Sequence, residues 1–240
     1  ANGKASILAA DNLANAMRKE DGTYRTYEEM VAEGIPTKYD GDWTAASENW
    51  NFLCDLDPNE GHGEPAYAYI YSLFMSEVDV DMTTGKTTVQ SFRCVDEVGK
   101  VGNVQVLDGQ VYSGISHSIG FALSENYEDV RKDTNILSAG VPTIKDIPDD
   151  METYHMNGKN ALGPFGSSGA SEAFQSSDHV AVINAINDAT GVRIYELPAT
   201  PEKVKNGIDA LAKGESNPNK PKKYFLGNDF LDEMEAIKAD

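Results

Sequence analysis

Only two cysteines, Cys54 and Cys94, occur in 240 residues, and they are not in CxxC spacing. That is too few for an iron–sulfur cluster or a structural zinc built by this chain alone. Both read as buried thiols, and spacing does not decide whether they pair. Histidine is scarce as well. His62, His117, His155 and His179 show no HxxxH pattern, so no protein-ligated metal site is expected. No apolar run is long enough to cross a bilayer, and no secretory leader is visible. The expectation is a protein without a membrane partner, in the cytoplasm, with the periplasm as the alternative. Basic residues are outnumbered, 20 Lys and Arg against 39 Asp and Glu, giving a formal net charge of −19. Such a surface repels phosphate backbones, which argues against nucleic acid as a partner.

What is present suits a folded chain: 40% apolar and 9% aromatic residues can build one sizeable core or two small ones. Ile7, Leu8, Leu13 and Met17 sit among alanines at helical spacing, and the small side chains predict a helix packed closely against neighbours. The chain opens Ala-Asn-Gly-Lys without an initiator Met, as a piece of something longer or a trimmed subunit would. Residues 19–63 are rich in Gly, Pro, Asp and Asn and read as an irregular excursion with short elements.

From Tyr67 the periodicity becomes that of strands. Tyr67, Tyr69 and Tyr71 alternate, Val78, Val80 and Met82 follow, and Thr83-Thr84-Gly85 turns the chain into Thr87 to Val95, a long β-hairpin. The tyrosine row is expected in the sheet core, with a substrate channel as the alternative. Gly109 to Ser124 reads as a helix, with Val111, Ile115 and Ile119 as its stripe. Ser113, Gly114, Ser116, Ser118 and Gly120 make another part of that helix unusually small, as close approach of a neighbouring element or a ligand would require. An extended piece is expected near Ile136 to Ile147. A helix follows Ser176 or Ser177, with Val180, Ile183 and Ile186 buried and Gly191 as its cap. Val192 to Leu197 alternates as a strand. Thr200-Pro201-Glu202 opens a helix burying Val204, Ile208 and Leu211, ended by Gly214. Residues 215–222 read as a linker, and Phe230, Leu231, Met234 and Ile237 form a last amphipathic helix. Helices and strands mix without a βαβ rhythm, so the fold class is α+β, with mixed sheets and packed helices.

The segment with chemical content is Gly163-Pro-Phe-Gly-Ser-Ser-Gly-Ala-Ser-Glu172. Three glycines let a backbone approach a flat or phosphorylated ligand, and three serines offer hydrogen bonds before one carboxylate. Such a carboxylate, partly desolvated, can act as a general base. On chemistry alone a Gly/Ser stretch before a helix is equally a plain turn, and Glu172 a solvated acid. His117 on its own reads as a structural histidine, and so does His62 in Gly61-His-Gly-Glu-Pro.

Taken together and in order, the motifs resemble the xanthine oxidase/aldehyde oxidase family of molybdenum hydroxylases. Glu77-Val-Asp-Val-Asp with Thr84-Gly-Lys is similar to the family's hairpin. Asp96-Glu-Val-Gly-Lys-Val-Gly-Asn103 resembles its D-x-G-x-x-x-N loop. Gly109-Gln-Val-Tyr-Ser-Gly-Ile-Ser-His-Ser-Ile-Gly120 resembles its G-Q-x-x-G-G-x-x-Q-G-x-G helix, and Gly166-Ser-Ser-Gly-Ala-Ser-Glu172 its G-x-x-G-x-G-E loop. Asp188-Ala-Thr-Gly-Val-Arg-Ile and Leu197-Pro-Ala-Thr-Pro-Glu resemble its closing segment. The likeness is strongest to aldehyde-oxidising members from sulfate-reducing bacteria, including the tail Tyr224-Phe-Leu-Gly-Asn-Asp. Departures fall at His117, where many relatives carry Gln, at Ser118, where they carry Gly, and at Ser171, where a glycine precedes the base.

The resemblance implies the second, C-terminal half of a molybdopterin-binding region. It divides the chain into an N-terminal helix and excursion (1–63), a family core (64–213) and a linker with a tail helix (214–240). It implies molybdenum on molybdopterin, as the cytosine dinucleotide, with 2Fe-2S clusters on other domains. Glu172 becomes the catalytic base. Asn103, Gln110, Ser116, His117 and Ser118 would lie along the pterin dinucleotide, and Ser167, Ser168, Gly169 and Ala170 beside the metal, which takes no ligand from this chain. The implied reaction oxidises a small aldehyde to a carboxylic acid with water as oxygen source, and electrons leave through the clusters to a redox-protein acceptor. Partners are then the remaining domains or subunits of one enzyme, itself a homodimer, and the chain is inactive alone. The alternatives are hydroxylation of purines or other N-heterocycles, or a non-catalytic scaffold of the same fold.

Overall fold

A computed structural model describes residues 1–44, 69–127, 129, 131–158 and 163–220. Tyr67, Cys54, His62 and the expected tail helix lie outside the described residues. The chain divides into two compact units. One comprises Ala1–Tyr71, Glu97–Asn103 and His155–Gly169, the other Ser72–Asp96, Val104–Tyr154 and Ala170–Asp240.

In the first unit, α1 (Asn2–Met17) forms where the alanine-rich pattern predicted a helix, yet none of its residues is buried. Close packing is confined to two spots. A Cβ on Gly41 would overlap the Ala5 carbonyl and the Ala9 amide, and one on Gly3 would overlap Pro164. The short α2 (Tyr27–Ala32) is held by a capping box in which Thr26 accepts from the Glu29 amide and Glu29 accepts from the Thr26 amide.

The second unit is built on the hairpin β1 (Tyr71–Val80) and β2 (Thr87–Glu97), joined to β3 (Asp150–Met156) in the order β1-β2-β3. At the turn, Asp81 accepts from the Thr83 and Thr84 amides, and Gly85 has φ +76°, a left-handed conformation that glycine adopts without strain. The hairpin matches the sequence reading, but its faces do not. Tyr69 and Tyr71 are exposed, as are Leu73 and Met75 in the same row. The inner row of β1 is Ser72, Phe74, Ser76, Val78 and Val80, opposite the fully buried Phe92 and Cys94 of β2. Side chains alternate along a strand, so the choice of Val78 and Val80 as core sends every tyrosine in the row to the other face. Phe74 and Phe92 meet edge to face at 6.3 Å. Cys94 is a buried free thiol, its pKa pushed up to about 12 by burial and by the carboxylates of Asp96 and Asp178.

Against this core lies α3 (Val104–Leu123), which starts at Val104 instead of Gly109 because Leu107 extends the stripe through Val111, Ile115 and Ile119. Residues 136–147 form turns, and the strand is Asp150–Met156 instead, whose polar alternation hid it. Next, α4 (Asp178–Thr190) has Ser177 as N-cap residue and ends at Gly191 with φ +75°. Its buried row is Asp178, Val182, Ile183 and Ile186, whereas Val180 is exposed. Val192 to Leu197 is not a strand. Its alternation holds, with Val192 and Ile194 buried, but its carbonyls are taken by side chains. Asn217 donates to Arg193 O at 2.6 Å, and Lys203 to Glu196 O at 2.9 Å. Finally α5 (Pro201–Ala212) is capped by Thr200, which accepts from the Lys203 amide. It buries Val204, Gly207 and Ala210 and leaves Leu211 exposed.

Candidate cofactor and catalytic site

Glu172 stands at the start of a 3-10 turn, Ala173–Gln175, with φ −97° and ψ 10°. This bridge-region conformation is sparsely populated and recurs at active-site residues. Its side chain is exposed and makes no hydrogen bond or ion pair to the described residues, while its carbonyl accepts from the Gln175 amide at 3.3 Å. The carboxylate is thus free and its backbone is fixed. What fixes it is the next residue but one, Phe174, which is fully buried and lies on the backbone of α3 at Gly114. A buried phenylalanine contributes about 1.5–3 kcal/mol, so this contact anchors the turn.

Four predicted residues lie on α3. Gln110 and Ser116 are half-buried. The Ser116 hydroxyl donates to its own helix at Tyr112 O, 2.8 Å away, so its hydrogen is already committed and only its lone pairs remain. His117 is exposed, with Nδ1 2.8 Å from Gln175 Oε1. An amide oxygen can only accept, so Nδ1 carries the hydrogen. Ser118 is buried and donates to Asp178 Oδ1, and its Oγ also lies 3.5 Å from the Gln175 carbonyl. Asp178 is fully buried, with Oδ2 making no hydrogen bond. Burial pushes its carboxyl up to about 6, against the opposing pull of the Ser118 hydrogen bond. Burial also lowers the pKa of the neighbouring His179, whose ring meets Phe121 edge to face at 5.2 Å.

In the first unit the Gly/Ser loop pairs with the Asp96–Asn103 loop. The Lys100 amide donates to Gly166 O at 2.7 Å, the Ser168 amide donates to Val98 O at 2.7 Å, and Ser167 Oγ donates to Lys100 O at 2.5 Å. This brings Ser167 and Ser168 beside residues 98–100. Asn103 and Gly169 are exposed in the same unit, and Ala170 opens the chain's return to the second. Sequence reading missed Phe165, which is 79% exposed with φ +54° between Pro164 and Gly166. A non-glycine residue there costs on the order of 1–2 kcal/mol.

The glycines separate two kinds of site. Gly114 and Gly120, expected to make room for a ligand, are required by the protein itself. A Cβ at Gly114 would stand 2.8 Å from Phe174, and one at Gly120 would stand 2.3 Å from Glu125 and 2.5 Å from Pro142. At Gly102, Gly109 and Gly169 a Cβ would meet nothing within 4 Å, and none of the three has a left-handed φ. Neither packing nor backbone demands glycine at these three positions, which flank Asn103 and Gln110 and close the Ser167–Ser168 loop. Each of these positions, taken within its own unit, leaves open space beside amide or hydroxyl donors. Among the described residues no cluster of three or more His, Cys, Asp or Glu could hold a metal ion.

Two substitutions test this partition. Gly114→Val should lower the thermal midpoint of the intact enzyme, since overpacking costs about 1–3 kcal/mol. Gly109→Ala should leave the metal-free protein as stable or more stable, by up to about 1 kcal/mol from helix propensity, yet lower pterin occupancy. Undiminished pterin content in Gly109→Ala would remove the ligand from that face.

Gln175 went unremarked in the sequence, and Asp178 reads there only as complementing the dipole of the helix it opens. Asp178 did carry a signal: it falls in the helical row with Val182 and Ile186, where a carboxylate is out of place.

A family model described as the molybdopterin cofactor-binding domain matches residues 1–148. The chain is 44% identical over 208 residues to the aldehyde oxidoreductase of Megalodesulfovibrio gigas, covering 87% of this chain and 22% of that protein. It is 34% identical over 134 residues to the nicotine 6-hydroxylase large subunit of Paenarthrobacter nicotinovorans, covering 53% of this chain and 16% of the relative. Among solved structures, the aldehyde oxidoreductase from Desulfovibrio gigas superposes with a TM-score of 0.80 at 44% identity, over 87% of this chain and 22% of that one. That from Desulfovibrio desulfuricans gives 0.76 at 44% identity, over 85% and 22%. The chain therefore spans about a fifth of the length of these relatives. No helix among the described residues is long and apolar enough to cross a membrane.

Proposed function

Because this chain belongs to the molybdopterin cofactor-binding domain family, in the xanthine oxidase group of molybdenum enzymes, we propose that it supplies the general base and part of the cofactor cradle of a molybdenum-dependent aldehyde oxidoreductase. The observation that carries this reading is Glu172, an exposed carboxylate without a partner among the described residues, held in a bridge-region backbone by the buried Phe174 two residues on. The reaction is the conversion of an aldehyde and one water to a carboxylic acid, releasing two protons and two electrons. The molybdopterin group, when bound, accepts the electron pair and presents the water-derived oxygen to the substrate carbonyl carbon.

This chain's part is proton handling and orientation. Glu172 removes the proton from the attacking oxygen, raising its nucleophilicity as the carbon–oxygen bond forms. Asn103, Gln110 and the Ser167–Ala170 backbone hold the cofactor through neutral donors. His117 and Ser118 serve the Glu172 turn through Gln175 and Asp178, a role the family resemblance alone did not suggest. 2Fe-2S clusters on the remaining domains or subunits would carry the electrons to a redox-protein acceptor, and the whole enzyme would be a homodimer. The cofactor is read as the cytosine dinucleotide.

Hydroxylation of N-heterocycles is the second reading, supported by the likeness to a nicotine hydroxylase subunit at 34% identity. The greater identity to aldehyde oxidoreductase, over more of the chain, favours the first. The test is the intact enzyme, assayed for molybdenum by elemental analysis and for oxidation of acetaldehyde, benzaldehyde and hypoxanthine in 18O-labelled water. Label in the carboxylate product, with aldehydes preferred, is the expected result. Preference for hypoxanthine would replace the aldehyde reading, and an enzyme without molybdenum would end both.

A further inference from the structure

Phe174 anchors the Glu172 turn to α3 at one point, and one point leaves the turn free to rotate about that anchor. A second attachment stands one residue further on. Gln175 is tied to α3 by its side chain, whose Oε1 lies 2.8 Å from His117 Nδ1, and its carbonyl lies 3.5 Å from the Ser118 hydroxyl, whose hydrogen goes to Asp178. It is also tied to the carboxylate-bearing residue, because its amide donates to Glu172 O at 3.3 Å. The contacts form one line, from the His117 imidazole through Gln175 to the backbone of Glu172. Ser118, the neighbour of His117, is itself fixed by the buried Asp178.

We propose that Gln175 is a positioning residue for Glu172, fixing the rotation of the 3-10 turn through its hydrogen bond to His117. The proposal rests on Glu172 acting as the base. Gln175 does not touch substrate or the reacting atoms. It sets where the carboxylate stands, and displacements on the order of 1 Å at a reacting group cost up to about 100-fold in rate. The His117–Gln175 pair gives both residues one role. The His117 ring nitrogen reaches across to the turn. Gln175 supplies the one acceptor that meets it.

The test uses the intact, molybdenum-loaded enzyme with Gln175→Met, which keeps length and volume but removes the acceptor, and Gln175→Glu, which keeps an oxygen for His117 Nδ1–H. Glu172→Gln is measured in parallel. Gln175→Met should lower kcat about tenfold with KM within about twofold of wild type and molybdenum content unchanged. Gln175→Glu should restore kcat to within about threefold. Amide hydrogen exchange supplies a readout that does not depend on turnover. A peptide covering residues 172–176 should exchange about tenfold faster in Gln175→Met and near the wild-type rate in Gln175→Glu. Wild-type kcat in Gln175→Met, a glutamate variant as slow as the methionine variant, or unchanged exchange in that peptide would each overturn the proposal. Should Glu172→Gln stay active, the base reading fails on that variant alone, and the exchange rates still decide whether Gln175 holds the turn.

Discussion

Glu172→Gln in the intact enzyme is expected to lower kcat by at least about 100-fold, the lower end of what a general base contributes, while molybdenum content and thermal midpoint stay at wild-type values. The side chain is exposed and bonds to nothing among the described residues, so its replacement by an amide of the same shape removes no packing and strands no partner. The only property lost is the capacity to take a proton. That makes the experiment unusually clean, because a fall in turnover has no route through stability. Turnover within a few-fold of wild type would show that the proton goes elsewhere.

Asp178→Asn should change stability in a pH-dependent way. The folded protein raises the Asp178 carboxyl from 3.8 to about 6, chiefly by burying it. A raised pKa means that the folded state holds the proton more tightly than the unfolded one. The corresponding stability is fully present below about pH 4 and is lost as pH rises through 6. At 1.36 kcal/mol per pKa unit, the loss is on the order of 3 kcal/mol. Asparagine keeps an oxygen for the Ser118 hydroxyl but never ionises. The variant should therefore exceed wild type in thermal midpoint at pH 8, and the difference should shrink toward zero near pH 4. His179, kept neutral by burial, acts in the opposite sense on acidification but is common to both proteins, so it cancels in the difference. A difference that does not vary between pH 4 and 8 would mean that Asp178 is not held protonated by its surroundings.

Local chemistry was legible in the sequence where one residue type has one job. Gly191 and Gly214 past helix ends, Thr200-Pro201 at a helix start, and the Asp81–Lys86 turn all stand where their backbone preferences put them. Assignments that depend on a distant partner were less secure. The tyrosine row alternates as well as the valines do, and only packing against Phe92 decides which row is inside. Val192–Leu197 has the period of a strand but meets side chains instead of a strand edge. In the candidate site, the motif order singled out Glu172 and the Gly/Ser loop that precedes it. The clamp on its turn stayed hidden because its members, His117, Ser118, Gln175 and Asp178, carry no joint spacing that a linear reading can recognise. The small face of α3 was noticed, but it serves two masters: Gly114 and Gly120 receive protein, and only Gly109 stands clear.

The contacts that hold the Glu172 turn join residues 57 to 60 apart in the chain. Closing a loop of that length costs on the order of 3–4 kcal/mol in chain entropy before any contact compensates. On the ribosome, at about 5–20 residues per second, α3 is complete roughly 3 to 12 seconds before Gln175 and Asp178 are made. During that interval its stripe of Val111, Ile115 and Ile119 lacks the Val182, Ile183 and Ile186 of α4. The nascent helix then exposes an apolar face, and the Glu172 turn acquires its place only when Gln175 and the first turn of α4 have been synthesised.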